Sequence, residues 1–171
     1  MSKPASVAII GSFKQHYENV CQAWRALTDL GIEVTSPKGT PIIEPGIPFV
    51  RFVSDDSKWD DPMVQTVALH RILRADFVFV VAPSGYVGRT TCYEIGRIIQ
   101  SLRPLYFSEH PVDLPIQVSN GHVLDLSALV DQIKTGSFNP SPLFYNEATP
   151  LGHLETDLLN GAYRTDEEIS K

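Results

Sequence analysis

Residues 83–97 read Pro83-Ser84-Gly85-Tyr86-Val87-Gly88-Arg89-Thr90-Thr91-Cys92-Tyr93-Glu94-Ile95-Gly96-Arg97. Two glycines, a cation and two threonines stand ahead of a helix-like run. Free backbone N–H groups and the positive end of a helix make this a candidate anion site. Gly85 and Gly88 let the backbone approach a ligand closely, and Ser84 shares their turn. Arg89 adds a charge-assisted contact to phosphate or carboxylate. Glu94 admits two readings. Thr91-x-x-Glu94 matches a capping box, a structural role that contributes about 1 kcal/mol and requires no chemistry. Alternatively the carboxylate faces a crevice and attacks a sugar anomeric carbon, as in retaining glycoside cleavage. The local pattern alone favours the cap.

Other chemistry-bearing residues form weaker patterns. His16, His70, His110, His122 and His153 lack metal-ligand spacing, so neither a metal nor a cofactor is expected. Trp24 and Trp59 read as packing residues. Tyr86 fits a base-stacking ring or an exposed turn equally well. Asp76, opening an apolar run, reads as a capping or positioning residue. Arg71, Arg74 and Arg97 read as solvated positions on helix faces.

Elements that position these residues follow from the apolar pattern. Ala5–Ile10 is a continuous apolar run ending at Gly11, as in a strand buried on both faces. Helical spacing covers Tyr17–Leu30 (Val20, Cys21, Trp24, Leu27, Leu30), with Gly31 as its stop. Ile32–Thr35 is a short strand. Four prolines in 37–48 predict a constrained loop, and Phe49–Val53 an edge strand. Asp60 or Asp61 caps a helix with Pro62 at its first position, running to Arg74 and burying Val64, Val67, Ala68, Ile72 and Leu73. Phe77–Ala82 and Pro104–Phe107 are strands, Thr91–Leu102 and Ser127–Lys134 helices. Alternating apolar strands and helices predict an open parallel α/β sheet with helices on both faces. Ligands of such sheets bind at the carboxyl ends of the strands, here the loops Gly11-Ser12-Phe13 and Pro83–Thr91.

The 171 residues suffice for one domain core without disulfide or metal support. The formal charge of −6 argues against a polynucleotide partner. It is uneven. Residues 135–171 hold six acids against Arg164 and Lys171, a net of −4, which leaves the preceding part near neutral. A domain over 1–134 and an acidic, proline-containing appendage over 135–171 are therefore expected, its last eight or so residues disordered. Its apolar clusters (Leu143-Phe144-Tyr145; Leu154, Leu158, Leu159) suit packing on the same chain or on a second subunit. No apolar run is long enough to span a membrane, no signal peptide is apparent, and Cys21 and Cys92 form no redox motif, so a cytoplasmic setting is expected.

Gly-Tyr-Val-Gly-x-x-Thr-x-x-Glu-Ile-Gly (residues 85–96), following an Ala-Asp-plus-apolar strand, resembles the nucleoside 2-deoxyribosyltransferase superfamily, which includes the 2′-deoxynucleoside 5′-phosphate N-hydrolases. Gly11-Ser12-Phe13 and Asp29–Val34 followed by Ser36-Pro37 share the likeness, which covers roughly residues 5–107. The resemblance implies a flavodoxin-like five-stranded parallel sheet, a homodimer or higher homo-oligomer, and cleavage or transfer at the N-glycosidic bond of a nucleoside or nucleotide. Glu94 would be the nucleophile. Gly11, Ser12 and Phe13 would line the nucleoside pocket, and Gly88, Arg89, Thr90 and Thr91 would meet a 5′-hydroxyl or 5′-phosphate. Two departures stand out. The aspartate that family members carry eight residues before the position of Asp76 is Ala68 here, leaving Asp55, Asp56, Asp60, Asp61 or His70 as substitutes. The turn from Pro83 to Glu94 is also longer than in the monophosphate hydrolases. Pro83, Gly85, Gly88, Thr91 and Glu94 more loosely resemble the cytokinin-activating phosphoribohydrolases. A non-catalytic nucleotide-binding or sensor module is the rival reading, which Ala68 favours, and an interaction subunit working through its tail is a third.

Overall fold

A computed structural model describes residues 4–41 and 51–143, and beyond them 153, 154, 157, 158 and 161. Four segments become parallel strands: β1 (Ser6–Gly11), β2 (Glu33–Ser36), β3 (Phe77–Val81) and β4 (Leu105–Phe107). Four helices alternate with them: α1 (Tyr17–Asp29), α2 (Asp61–Ile72), α3 (Arg89–Gln100) and α4 (Leu126–Thr135). The strand order is β2-β1-β3-β4, an open parallel sheet with flavodoxin-like topology. β1 and β3 are central and, from Val7 onward in β1, buried and apolar on both faces, as strands covered by helices must be.

Each strand's alternate side chains feed a separate core. Val7, Ile9, Phe77 and Phe79 pack with Val20, Leu27, Leu129 and Ile133 of α1 and α4. Ala8, Ile10, Val78 and Val80 pack with Ile72 of α2 and with Ile95 and Ile98 of α3. α2 and α3 thus share one face, and the crevice between them opens over β1. At the opposite, amino-terminal end, Asp76 Oδ2 accepts the N–H groups of Ala5 (2.7 Å) and Ser6 (2.9 Å) and locks β1 to β3. That is the positioning role read from its place in the sequence.

Several expectations change. The described sheet has four strands, not five. Val123 forms a single parallel bridge to Phe107, and Leu124 N–H donates to Phe107 O at 2.8 Å. Only these two residues separate the turn at Asn120–His122 from Asp125, which caps α4 by accepting Ala128 N–H, so no strand forms in this stretch beside β4. Residues 51–53 of the expected edge strand lie outside the sheet, with Val53 N–H held by Pro41 O at 2.9 Å, while residues 49 and 50 fall outside the described residues. Asp60 caps α2 through Met63 N–H at 2.9 Å, placing Pro62 second in the helix. Leu69 is buried there, whereas Val67, Ala68 and Leu73 are only half-buried.

The packed unit also extends past residue 134. Gly136 ends α4 in the left-handed conformation at φ 71° and turns the chain back over the sheet. Phe138 then packs edge-on to Phe77 (ring centroids 4.9 Å apart) and against Tyr106 (5.0 Å). Leu143 is buried in the core beneath α3. The described start of the appendage therefore packs on its own chain. The disorder expected of the last residues concerns positions outside the described ones.

Candidate functional site

Gly11 ends β1 where the chain crosses close to β3. A Cβ there would stand 2.5 Å from Val81 O, at φ 152°, so only glycine fits. The chain then turns through Phe13 N–H to Gly11 O (3.0 Å) and His16 N–H to Ser12 O (2.8 Å), which presents Ser12, Phe13 and Lys14 over the sheet end.

After β3, Pro83–Gly85 makes one tight turn with Ser84 at φ 57° and Gly85 at φ 73°. The acids of the loop following β4 occupy its donors. Ser84 N–H donates to Glu109 Oε2 at 3.0 Å and Val87 N–H to Asp113 Oδ1 at 3.2 Å. A Cβ on Gly85 would collide with His110 O. Ser84 and Gly85 therefore face the β4 side and do not line the cavity described below. Their glycine-and-turn character serves packing.

The donors left for a ligand are those of α3. Gly88 is its N-cap and supplies no side-chain cap, and the first intrahelical bond runs from Cys92 N–H to Gly88 O at 2.9 Å. The N–H groups of Arg89, Thr90 and Thr91 precede that bond and lie at the positive helix end. This start is two residues earlier than the sequence pattern suggested. Thr91 is consequently a first-turn residue, 3% exposed, and not a cap. Glu94 cannot reach back as a capping-box acid, so the reading that local sequence favoured is overturned.

A cavity of about 360 Å³ opens between these elements at the carboxyl end of β1. Gly11, Ser12, Phe13, Tyr86, Gly88, Arg89, Thr90, Thr91 and Glu94 all line it, which brings together nine of the eleven sites expected from sequence. Phe13 meets Phe52 edge-on at 5.2 Å between ring centroids, forming an aromatic wall. Tyr86 is 38% exposed, meets His16 edge-on at 6.2 Å and lies close to Gly88.

Glu94 is half-buried in this wall, and its carboxyl makes no hydrogen bond or ion pair with another described residue. Burial pushes its carboxyl up to about 7. A carboxyl in that range exchanges its proton near neutral pH and serves as either acid or nucleophile. Among the described residues no group of His, Cys, Asp and Glu is arranged to hold a metal. No described helix is long and apolar enough to cross a membrane.

Ser36, Lys38, Asp55, Gln65, Ala68 and Arg71 complete the far wall. Asp55 enters from the loop before α2 and accepts Phe52 N–H at 2.8 Å, whereas His70 is exposed on α2 and does not line the cavity. Arg71 corrects the expectation of a solvated arginine: it is half-buried and lines the cavity, while Arg74 and Arg97 are exposed. A signal for this wall was present. Val64, Gln65, Ala68, Arg71 and Ile72 fall at i, i+1, i+4, i+7 and i+8, one stripe of a helix that mixes apolar with polar residues.

Comparison with protein-family models, with curated proteins and with solved structures yields no match. The class defined by fold and site is an α/β protein of flavodoxin-like topology with a cavity at the carboxyl end of its parallel sheet.

Proposed function

We propose that the protein cleaves or transfers at the N-glycosidic bond of a nucleoside or nucleotide, with Glu94 as nucleophile. The observation that supports this reading best is Glu94 itself: a carboxyl released from any capping duty, without a partner among the described residues, in the wall of a cavity at a parallel sheet's carboxyl end. The ionised carboxylate attacks C1′ and the C1′–N bond breaks with its electron pair on the base. A glycosyl ester forms, which water or a second base resolves. Arg89 and the first turn of α3 suit a 5′-hydroxyl or 5′-phosphate. Ser12, Phe13 and Tyr86 suit the sugar and base. The resemblance to the deoxyribosyltransferase superfamily, and more loosely to the phosphoribohydrolases, points the same way and adds homo-oligomeric assembly to the proposal.

Chromatography for free base, after incubation with a panel of nucleosides and nucleoside monophosphates, tests the reading. Base release by the native chain and its loss in a folded Glu94→Ala variant are expected. Undiminished release in that variant would remove Glu94 as nucleophile. Ala68 in the wall favours a second reading, a nucleotide-binding sensor of the same fold. Calorimetric binding without base release would establish it.

A further inference from the structure

The α2 wall of the cavity carries one charged side chain, and it is a cation. Along the stripe Val64, Gln65, Ala68, Arg71 and Ile72, only Arg71 is ionic. Its guanidinium has no hydrogen bond or ion pair among the described residues, and its backbone carbonyl accepts Thr35 Oγ1 at 3.1 Å. Arg71 is half-buried in the cavity wall, so its unpaired guanidinium is a positive charge available to an anion that enters the cavity. Lys38, just beyond β2, lines the same side, with a loose 3.7 Å pair to Glu33. Lys14 and Arg89 line the cavity as well, so four cations surround a site in a chain of net charge −6. Asp55 is the carboxylate on this side, and Phe52 N–H already engages it.

Arg71 and Lys38 are not placed for the phosphate end. They belong to the β2 side, whereas the α3 N-terminus follows β3 and β1 runs between. Two strand spacings separate these sides by about 10 Å. A nucleotide's phosphate and base leave the sugar in different directions, so a phosphate at α3 directs the base toward α2.

We propose that Arg71 and Lys38 form an anion subsite for the leaving base, and that the preferred substrates are N-glycosides of acidic heterocycles, those bearing a carboxylate or departing as delocalised anions. This rests on the N-glycosidic reading. When the C1′–N bond breaks, the electron pair stays on the ring nitrogen and the base departs as an anion held by the guanidinium. Gln65 supplies amide contacts to the ring's carbonyl and N–H groups. No acid is then required to protonate the base, which suits a wall where Ala68 offers none. Water resolves the glycosyl ester: its hydroxyl goes to C1′, its remaining proton goes to the base nitrogen, and Glu94 is regenerated.

Calorimetry with orotate, a pyrimidine carboxylate, and with uracil, its neutral counterpart, tests the subsite without turnover. The native chain is expected to bind orotate at least about tenfold more tightly than uracil, and Arg71→Gln to erase most of that ratio. Lys38→Gln, on an exposed side chain, is expected to lower the ratio too and carries the test if Arg71→Gln fails to melt cooperatively. Equal binding of the two bases, no orotate binding, or a ratio that survives the substitution would overturn the proposal. Base release from orotidine, uridine and their 2′-deoxy forms separates the two claims. An intact orotate preference without base release strikes the enzymatic reading alone. Base release without any preference strikes the subsite alone.

Discussion

Replacing Glu94 by glutamine should stabilise the protein, by an amount that grows as pH rises from about 4.5 to about 7. Burial raises the Glu94 carboxyl from an ordinary 4.5 to about 7. Between those values the folded state binds the proton more tightly than the unfolded chain, so stability falls as pH rises through the window. At about 1.4 kcal/mol per unit the full loss is about 3 kcal/mol. Glu94 is half-buried in a cavity open to water, which screens part of that, leaving about 1–2 kcal/mol. Glutamine keeps the shape and never ionises. Glu94→Gln should therefore match the native chain near pH 4.5 and melt about 2–8 °C higher at pH 8, given about 2–4 °C per kcal/mol at this size. Thermal melts of both chains across pH 4.5–8 read the difference. Parallel melting curves at every pH, or a variant less stable at pH 8, would show that the carboxyl is not desolvated and would remove the physical basis for its special reactivity. Activity should move the other way. A nucleophile must be ionised, so base release should rise with pH and level off above about 7, whereas a general acid would lose rate there.

His122 should act with the opposite sign. It is buried against Tyr106, its Nδ1–H donates to Leu105 O at 2.8 Å, and burial lowers its pKa. Its contribution should be lost as pH falls below 6.5, and a melting series should show His122→Asn, which keeps a donor for that carbonyl, losing less. Phe138→Ala should cost about 3–4 kcal/mol in denaturant titration, because it empties the space between Phe77 and Tyr106. A cost below 1 kcal/mol would return the segment after α4 to the status of an appendage.

The central architecture could be read from the chain because its strands carry no ambiguity. Five or six consecutive apolar residues ending at a glycine or proline suit a strand covered on both faces. The errors cluster where a local pattern admits two structures. Thr91-x-x-Glu94 is a valid capping box in isolation, but Gly88 starts the helix first, since its cap needs only an extended backbone and no side chain. Ser84 and Gly85 look like ligand-loop residues, yet the N–H groups of Ser84 and Val87 in that turn donate to Glu109 and Asp113, 25 and 26 residues further on, contacts that no local reading contains. Arg71 looked solvated because an arginine at a helix's end usually is. Its place in the cavity depends on α2 lying beside α3, a fact of topology. The fifth strand was expected from resemblance alone, and the two residues between turn and cap do not supply it.

The absence of a fifth strand among the described residues bears on how the protein survives in a crowded solution. A sheet ending in an open strand invites another chain to add itself there through its free donors and acceptors. Here the last strand is three residues long. Beyond it the chain lays a single bridge at Val123 and a second at Pro104 and Pro142, two residues without an N–H to offer. Among the described residues this border of the sheet is short and partly bridged, which disfavours strand-by-strand growth into fibrils there.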